Sequence, residues 1–211
     1  MPSNTFFNLP EEKRETFLRS ARREFAQKPY SEASINQIIR EAGIPRGSFY
    51  MYFSDKEDLF RYLMERHAEG LLERLIHLLE AERGDLFAAL TRMVEQAGED
   101  ARLQEQRELI QVVRNNLGVH QISLLRTLWP QRLAERLIDY IDLSRLNLRR
   151  EEELGELLHI LFGITAPALC AAAVGGDSGA VCARYRVQLD ILKRGMAAPN
   201  PPAARGDESK E

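Results

Sequence analysis

The chain has 211 residues, 44% of them hydrophobic and 29% charged, which is the composition of a soluble globular protein with a sizeable core. Its 29 lysines and arginines against 32 acidic residues give a net charge of −3, which excludes a chain that is basic throughout. Any contact with nucleic acid must therefore come from a local patch. Because no uninterrupted apolar stretch of about 18 residues and no signal-peptide pattern occur, we expect a cytoplasmic protein that does not span a membrane.

The N-terminal segment predicts a short arm followed by one amphipathic helix. Residues 1–8 are polar apart from Phe6 and Phe7, and we expect a loose arm whose phenylalanines dock on the helix. Pro10 suits a first helical position and Glu11 favours the positive end of a helix, so a helix is predicted over about 10–27. The basic residues that could form a local patch are Arg22, Arg23, Lys28, Arg40, Arg46 and Lys56.

Two short helices are predicted to meet at Gly43, which can take the left-handed conformation that ends a helix. The first has its apolar residues at the spacing of one buried helical face, and Ser34 with Gln37 predicts a capping box. In the second, Phe49 and Phe53 point inward, which leaves hydroxyls and aromatics beside Arg46 on the outside. This arrangement is typical of a helix-turn-helix that presents its second helix to the DNA major groove. The alternative is an ordinary helical hairpin.

A long helix and several shorter ones are predicted after this pair. Ser54 and Glu57 predict a capping box at the start of the long helix, and the helical period of apolar residues continues to about residue 82. Gly84 is predicted to stop this helix, and Asp85 to cap the next one. Further helices are predicted over about 85–98, 101–116, 121–129, 131–143, 151–174 and 180–196. Residues 197–211 hold three prolines and many charges and are predicted to be disordered. No strand is predicted, so the fold class is all-α.

No residue pattern predicts catalysis, a cofactor or a metal site. Glu156 and His159 have the spacing of a di-iron ligand pair, but the second copy that such a site needs does not occur. Cys170 and Cys182 are interpreted as small buried hydrophobes of a reducing cytosol, with a redox pair as the alternative. Aromatic and methionine side chains at helical spacing are usually plain core, and the weak candidates for lining a ligand cavity are Phe87, Met93, Trp129, Tyr140 and Phe162.

Residues 42–59, AGIPRGSFYMYFSDKEDL, closely resemble the helix-turn-helix signature of the TetR/AcrR family of bacterial transcriptional regulators. The resemblance covers roughly residues 9–62. The family usually carries Thr where Ala33 stands, and Met51 replaces a polar or aromatic residue. By this resemblance, Asn36, Arg46, Gly47, Ser48 and Tyr50 would read bases, and Ser34, Tyr52 and Lys56 would hold phosphate.

The resemblance implies a three-helix DNA-binding domain over 1–53, with the motif at about 33–53, and a helical domain over 54–196 for effector binding and dimerisation. It further implies a repressor that binds a near-palindromic operator in double-stranded DNA as a homodimer and is released by a small molecule. A helical ligand-binding or protein-interaction module without DNA binding is the alternative. Apolar and small residues in the last two helices predict the dimer interface, with Leu154, Leu161, Ala168, Ala172, Tyr185 and Leu189 as its members.

Overall fold

The computed structural model describes residues 2–97, 108, 110–113, 115, 134–150, 152–173 and 177–195, and these confirm the all-α fold class. Trp129, the tail at 197–211 and most of the helices predicted at 101–133 lie outside the described residues. The helices are α1 Asn4–Phe7, α2 Glu11–Gln27, α3 Ile35–Ala42, α4 Arg46–Tyr52, α5 Lys56–Ala81, α6 Leu86–Ala97, α7 Glu153–Ala173 and α8 Ser178–Arg194. Short 3-10 turns occupy Ile138–Tyr140 and Leu143–Arg145.

The N-terminal helices enclose one core, which we call the head. Its centre is a cluster of aromatic rings from α1, α2, α4 and α5, in which Phe17 stacks on Phe53 with ring centroids 5.8 Å apart. The first turns of α5 belong to this core as far as Met64, and so does Val112, whose side chain is fully buried. The domain boundary predicted at residue 53 stays a prediction, and the packing of the head continues beyond it.

The rest of α5 packs with α6, α7 and α8 around a second core, which we call the body. A buried polar pair joins α7 to α8: Thr165 donates its hydroxyl proton to the carbonyl of Leu161, at 2.6 Å, and accepts from the Tyr185 hydroxyl, also at 2.6 Å. Burial raises the pKa of Tyr185 to about 12. Both hydroxyls are therefore satisfied inside an otherwise apolar layer.

The turn between α5 and α6 is tight and is packed against the segment that precedes α7. Gly84 has φ +79° and donates its N–H to the carbonyl of Leu79 at 2.8 Å. Its own carbonyl accepts from the backbone N–H of Asp142 at 3.0 Å. Asp85 accepts from the N–H of Ala88 at 2.9 Å, so the predicted cap at Asp85 is confirmed, whereas α5 already ends at Ala81, before the predicted stop at Gly84.

Four local predictions are corrected by the structure. The helix predicted over about 131–143 does not continue past residue 137, where two short 3-10 turns follow. Residues 4–7 form α1 rather than a loose arm, because Phe6 is fully buried in the head core. Ser34 is the N-cap of α3, but its side chain makes no capping hydrogen bond. The N-cap of α5 is Asp55, whose carboxylate accepts from the N–H of Asp58, so the helix starts two residues later than the capping box at Ser54 predicted.

The helix α7 is long and apolar enough to cross a membrane by length and composition alone. In the structure it packs against α6 and α8, and Leu154, Leu158, Leu161 and Thr165 are among its buried residues. A core helix of a soluble protein passes the same length and composition test, so this feature is weak evidence for a membrane span.

Candidate nucleic-acid interface

The helices α3 and α4 form a helix-turn-helix with Gly43 at the turn. Gly43 has φ +66°, in the left-handed region that favours glycine, and Ile44 donates its N–H to the carbonyl of Ile39 at 3.0 Å. Pro45, with φ −62°, directly precedes the first residue of α4, where its lack of an N–H costs nothing. The turn that joins α3 to α4 thus takes only the three residues 43–45.

One side of α4 is buried and the other faces solvent. Phe49 and Phe53 are at most 1% exposed, whereas Tyr50 and Met51 are 54% and 55% exposed. Arg46 and Gly47 are also exposed, and Ser48 is partly buried. An exposed apolar patch that is contiguous and rimmed by polar residues marks an interaction site. The four residues Arg46, Gly47, Tyr50 and Met51 therefore offer a guanidinium, a gap for close approach and two large side chains on one helix.

Tyr52 differs from the other predicted contacts, because it is only 8% exposed. Its ring lies against Phe6 and Phe17, with both centroids 6.1 Å away. Most of its surface therefore stabilises the head core. The phosphate contact predicted for Tyr52 stays a prediction and depends on the small part of the side chain that reaches the surface.

The N-terminal end of α3 presents Asn36 to solvent and Ser34 at its edge. Ser34 donates its backbone N–H to the carboxylate of Glu24 at 2.9 Å, so Glu24 on α2 fixes the start of α3. Because the Ser34 hydroxyl makes no capping bond, it remains available for another acceptor or donor. The phosphate role of Ser34 and the base-reading role of Asn36 stay predictions.

Lys56, at the first position of α5, has its ammonium group directed to the loop between α2 and α3. It donates to the carbonyls of Tyr30 at 2.7 Å, Ala33 at 2.9 Å and Ser31 at 3.4 Å. The ammonium also lies 4.6 Å from the centre of the Tyr30 ring, a cation–π contact. Lys56 therefore holds the loop that leads into the helix-turn-helix, a role that the sequence pattern did not predict.

The basic patch of the head is smaller than the sequence predicted, because acidic residues pair with α2. Lys28 lies 3.0 Å from Glu24, and Arg22 is 8% exposed, with a Glu15 carboxylate oxygen 3.9 Å from it. Arg23 lies 3.1 Å from Glu41 and 3.5 Å from Glu108, and these carboxylates raise the pKa of its guanidinium. Arg40, which donates to Gln37, and Arg46 are the exposed basic residues on the helix-turn-helix itself.

A segment far along the chain completes the head. Val112 is fully buried in the head core, and Asn115 donates its side-chain N–H to the carbonyl of Ala26 at 2.8 Å, near the end of α2. Arg23 reaches from α2 to Glu108 on the same segment and to Glu41 on α3. Periodicity along the chain alone does not say in which of the two cores Val112 is buried.

Comparisons with known proteins agree with this geometry. The model for bacterial regulatory proteins of the tetR family matches residues 17–63, and the model for the tetracyclin repressor-like C-terminal domain matches residues 85–196, more than half of the chain. The chain belongs to the TetR family. Its members are DNA-binding transcriptional regulators, so the predicted family and the prediction that the chain is not an enzyme are confirmed.

Individual relatives of this TetR-family chain match over limited lengths. The HTH-type transcriptional regulator AcrR of Shigella flexneri is 30% identical over 100 residues, which is 47% of this chain and 46% of AcrR. The HTH-type transcriptional repressor NemR of Escherichia coli K12 is 31% identical over 72 residues, 34% of this chain and 36% of NemR. The chain thus spans less than half the length of these curated relatives.

A solved structure extends the likeness to the whole fold. The TetR-like transcriptional regulator from Rhodococcus sp. RHA1 aligns with a TM-score of 0.57 over 90% of this chain and 100% of that chain, at 18% sequence identity. At this identity the match shows a shared fold and nothing about what either protein binds.

Three of the four predicted effector residues that the structure describes in this TetR-family chain belong to the body core or pack against it. Met93 is buried in the body core, Phe162 packs against that core, Phe87 lies under the Lys193 ammonium group at 5.1 Å, and Tyr140 is 37% exposed. A half-open pocket of about 280 Å³ lies elsewhere, and none of these four residues lines it. Its walls are Ile138, Leu143, Leu146, Leu148, Arg149, Arg150 and Leu154. The location of the effector site stays a prediction.

The six predicted dimerisation residues, Leu154, Leu161, Ala168, Ala172, Tyr185 and Leu189, are all buried within the chain's own body core. The large apolar side chains that α7 and α8 leave exposed are Ile160 at 49%, Val187 at 60% and Ile191 at 39%. The dimer interface itself stays a prediction.

Proposed function

We propose that the chain is a transcriptional repressor that occupies a near-palindromic operator as a homodimer and is released when a small molecule binds in the body. The observation that carries the proposal is the division of α4 into a buried aromatic side and an exposed side with Arg46, Gly47, Tyr50 and Met51. A helix that is packed against the protein core on one side, and that carries polar and aromatic groups on its exposed side, suits insertion into a major groove.

The contacts proposed for this surface follow from the chemistry of each side chain. Arg46 can donate two hydrogen bonds to the edge of a guanine, and Gly47 lets the backbone of α4 come close to the duplex. Tyr50 can pack on a thymine methyl group or donate its hydroxyl. Asn36 and Ser48 would reach neighbouring bases, while Ser34, Tyr52 and Lys56 would contact the phosphate backbone.

The test is binding to a duplex that the chain selects from a random-sequence library, together with a footprint on the DNA upstream of its own gene. Replacing Arg46 with alanine should cost about 1–3 kcal/mol per half-site and relax the preference at one base pair. Arg194→Ala, at the end of α8 in the body, is the matched control and should leave affinity unchanged. If the wild-type chain selects no sequence, it is a helical binding module that does not read DNA, and the proposal fails.

The release mechanism that we propose uses α5 as a lever. This helix runs without interruption for 26 residues, or about 39 Å, with its first turns in the head core and its later turns in the body core. Arg136 donates two hydrogen bonds to Glu69, at 2.6 and 2.7 Å, and so ties the middle of α5 to the body. A ligand that shifts the body end of α5 would change the separation of the two heads.

Geometry makes the operator sensitive to such a change. Two heads must match half-sites about 34–36 Å apart, or a multiple of that distance, so a small displacement misaligns Arg46 and Tyr50 in at least one groove. The ligand need only prefer the mismatched state, and DNA must then weaken ligand binding by the same factor. An engineered disulfide that joins the heads at the operator-matched separation tests this account. Release of DNA by ligand from the locked dimer, as efficient as from the unlocked one, would contradict it.

A further inference from the structure

The C-terminal end of α4 is held by Ser3, a residue well outside the helix-turn-helix. The backbone N–H of Ser3 donates to the carbonyl of Tyr52 at 2.9 Å, and its hydroxyl donates to the carbonyl of Met51. These are the last two carbonyls of the helix. Because the final carbonyls of any α-helix lack partners within the helix, an outside donor there acts as a cap.

A cap is unusually important for α4, because the helix has only seven residues. A helix shorter than about 12 residues is marginal by itself and depends on its surroundings. Phe53 donates its N–H to the carbonyl of Phe49 at 2.9 Å, and Ser3 supplies the next two donors. The end of α4 therefore has a defined direction even though the helix makes only two turns.

The segment that carries Ser3 is itself fixed at both ends. The Ser3 hydroxyl accepts from the N–H of Phe6 at 3.4 Å, which makes Ser3 the N-cap of α1 as well. At the other end, Arg14 on α2 donates to the carbonyl of Phe7 at 3.3 Å. Between them, the fully buried Phe6 ring lies 4.9 Å from Phe53 and 5.6 Å from Tyr62.

We infer that residues 3–7 are a working part of the DNA-binding head, with Ser3 as a positioning residue that sets the angle of the recognition helix α4. The match to the tetR family begins at residue 17, so this segment lies outside it. Ser3 does not need to touch DNA: it holds the end of the helix whose exposed side carries Arg46, Tyr50 and Met51. The inference rests on DNA binding through α4.

The experiment compares Ser3→Ala with Ser3→Thr, which keeps a hydroxyl, and with Thr5→Ala, a control at an exposed position of the same short helix. The first readout is the ratio of two affinities, one for the selected duplex and one for a scrambled duplex of equal length, both measured at the same salt concentration. The second is hydrogen exchange of the α4 amides in the protein without DNA. The third is the thermal unfolding temperature of the full chain.

For Ser3→Ala we expect the ratio to fall about fivefold per half-site, the effect of losing the bond to the Met51 carbonyl, with the affinity for scrambled DNA unchanged. The α4 amides should exchange about fivefold faster, and Ser3→Thr should restore both values. A role in stability alone would lower the unfolding temperature and leave the ratio unchanged. Amide exchange and a ratio equal to those of Thr5→Ala would overturn the inference. If the wild-type protein selects no duplex, the proposed DNA binding is wrong. Hydrogen exchange of the α4 amides then still decides whether Ser3 caps α4.

Discussion

At the scale of single residues, Lys56 has one observed role and one proposed role, and an experiment can separate them. Its three hydrogen bonds to loop carbonyls predict that Lys56→Ala destabilises the fold by about 1–3 kcal/mol, as expected for hydrogen bonds from a charged donor. If Lys56 also contacts phosphate, the slope of log affinity against log salt should decrease by about 0.9 per subunit. Chemical denaturation and salt titration measure the two effects.

The matched control for Lys56 is Lys13→Ala, on the exposed surface of α2. It removes the same charge without removing bonds to the loop, so denaturation should show no loss of stability. A Lys56→Ala variant with wild-type stability would show that the loop does not depend on it. An unchanged salt slope would remove Lys56 from the phosphate contacts.

His67 predicts a pH dependence of folding. Burial lowers the pKa of His67 from 6.5 to about 4, so between these values the unfolded chain binds a proton that the folded chain does not. Stability should therefore decrease as pH falls from about 6.5 to 4, by at most about 3 kcal/mol from this group. Denaturation of wild type and His67→Gln across this range measures the difference.

His77 provides the control, since it lies on the same helix with its side chain 82% exposed. His67→Gln should have a flatter pH profile than either wild type or His77→Gln. Equal slopes for all three proteins would mean that His67 titrates in the folded state as it does in the unfolded one.

The residue scale also shows what a sequence can and cannot predict about the site. Gly43 and the spacing of Ile35, Ile38 and Ile39 predicted the helix-turn-helix, because left-handed backbone and a buried helical face are local properties. The partners of Arg23 were not predictable. Glu41 and Glu108 come from other parts of the chain, and which charges meet depends on how those parts pack.

At the scale of elements, the α5–α6 turn predicts a position that accepts only glycine. A Cβ at residue 84 would lie 2.6 Å from the backbone nitrogen of Asp142, and φ is +79°. Gly84→Ala should therefore destabilise the chain by about 2–4 kcal/mol, from backbone strain and forced displacement together. The midpoint of chemical denaturation measures the loss.

Gly70 is the contrasting glycine. It lies inside α5, and a Cβ added at residue 70 would have no atom of the surrounding structure within 4 Å. Because alanine favours a helix more than glycine does, Gly70→Ala should stabilise the chain by about 0.5–1 kcal/mol. A neutral Gly84→Ala would mean that the turn relaxes away from residue 142. A destabilising Gly70→Ala would mean that α5 needs flexibility at its centre.

Most helix boundaries were predicted to within a few residues, and the start of α5 shows the cause of one error. Residues 54–58 read Ser-Asp-Lys-Glu-Asp, which contains a capping box starting at Ser54 and an equivalent spacing starting at Asp55. The structure uses Asp55 and Asp58, and Ser54 donates its N–H to the Asp58 carboxylate at 3.3 Å. The local sequence is compatible with a helix start at either residue. The choice between them depends on contacts with the rest of the head, which the local sequence does not contain.

At the scale of the whole molecule, charged substitutions on α7 and α8 test the proposed dimer. Leu161→Glu and Leu189→Glu would place a charge in the body core and unfold the chain, because both residues are at most 3% exposed. Ile160→Glu and Val187→Glu instead alter the exposed sides of α7 and α8. If the second copy binds there, these variants should be folded monomers in analytical ultracentrifugation, with an unchanged circular dichroism spectrum.

The control for this test is Asp190→Lys, which reverses an exposed charge on α8 that pairs with Arg194 at 2.8 Å. It should stay dimeric if apolar contact drives association. A dimer that survives both glutamate substitutions places the interface elsewhere on the body.

The burial of Val112 in the head core has a consequence for how the chain folds during synthesis. The ribosome delivers residues 2–64 first, but the core that they form is completed by a side chain almost fifty positions later. Part of the apolar surface of the nascent head therefore stays uncovered until Val112 and Asn115 have left the ribosome. Only then can Asn115 donate to the carbonyl of Ala26. Complete folding of the head therefore requires residues that are synthesised after α6. A chain truncated before residue 112 should bind the operator weakly and be cleaved readily by proteases.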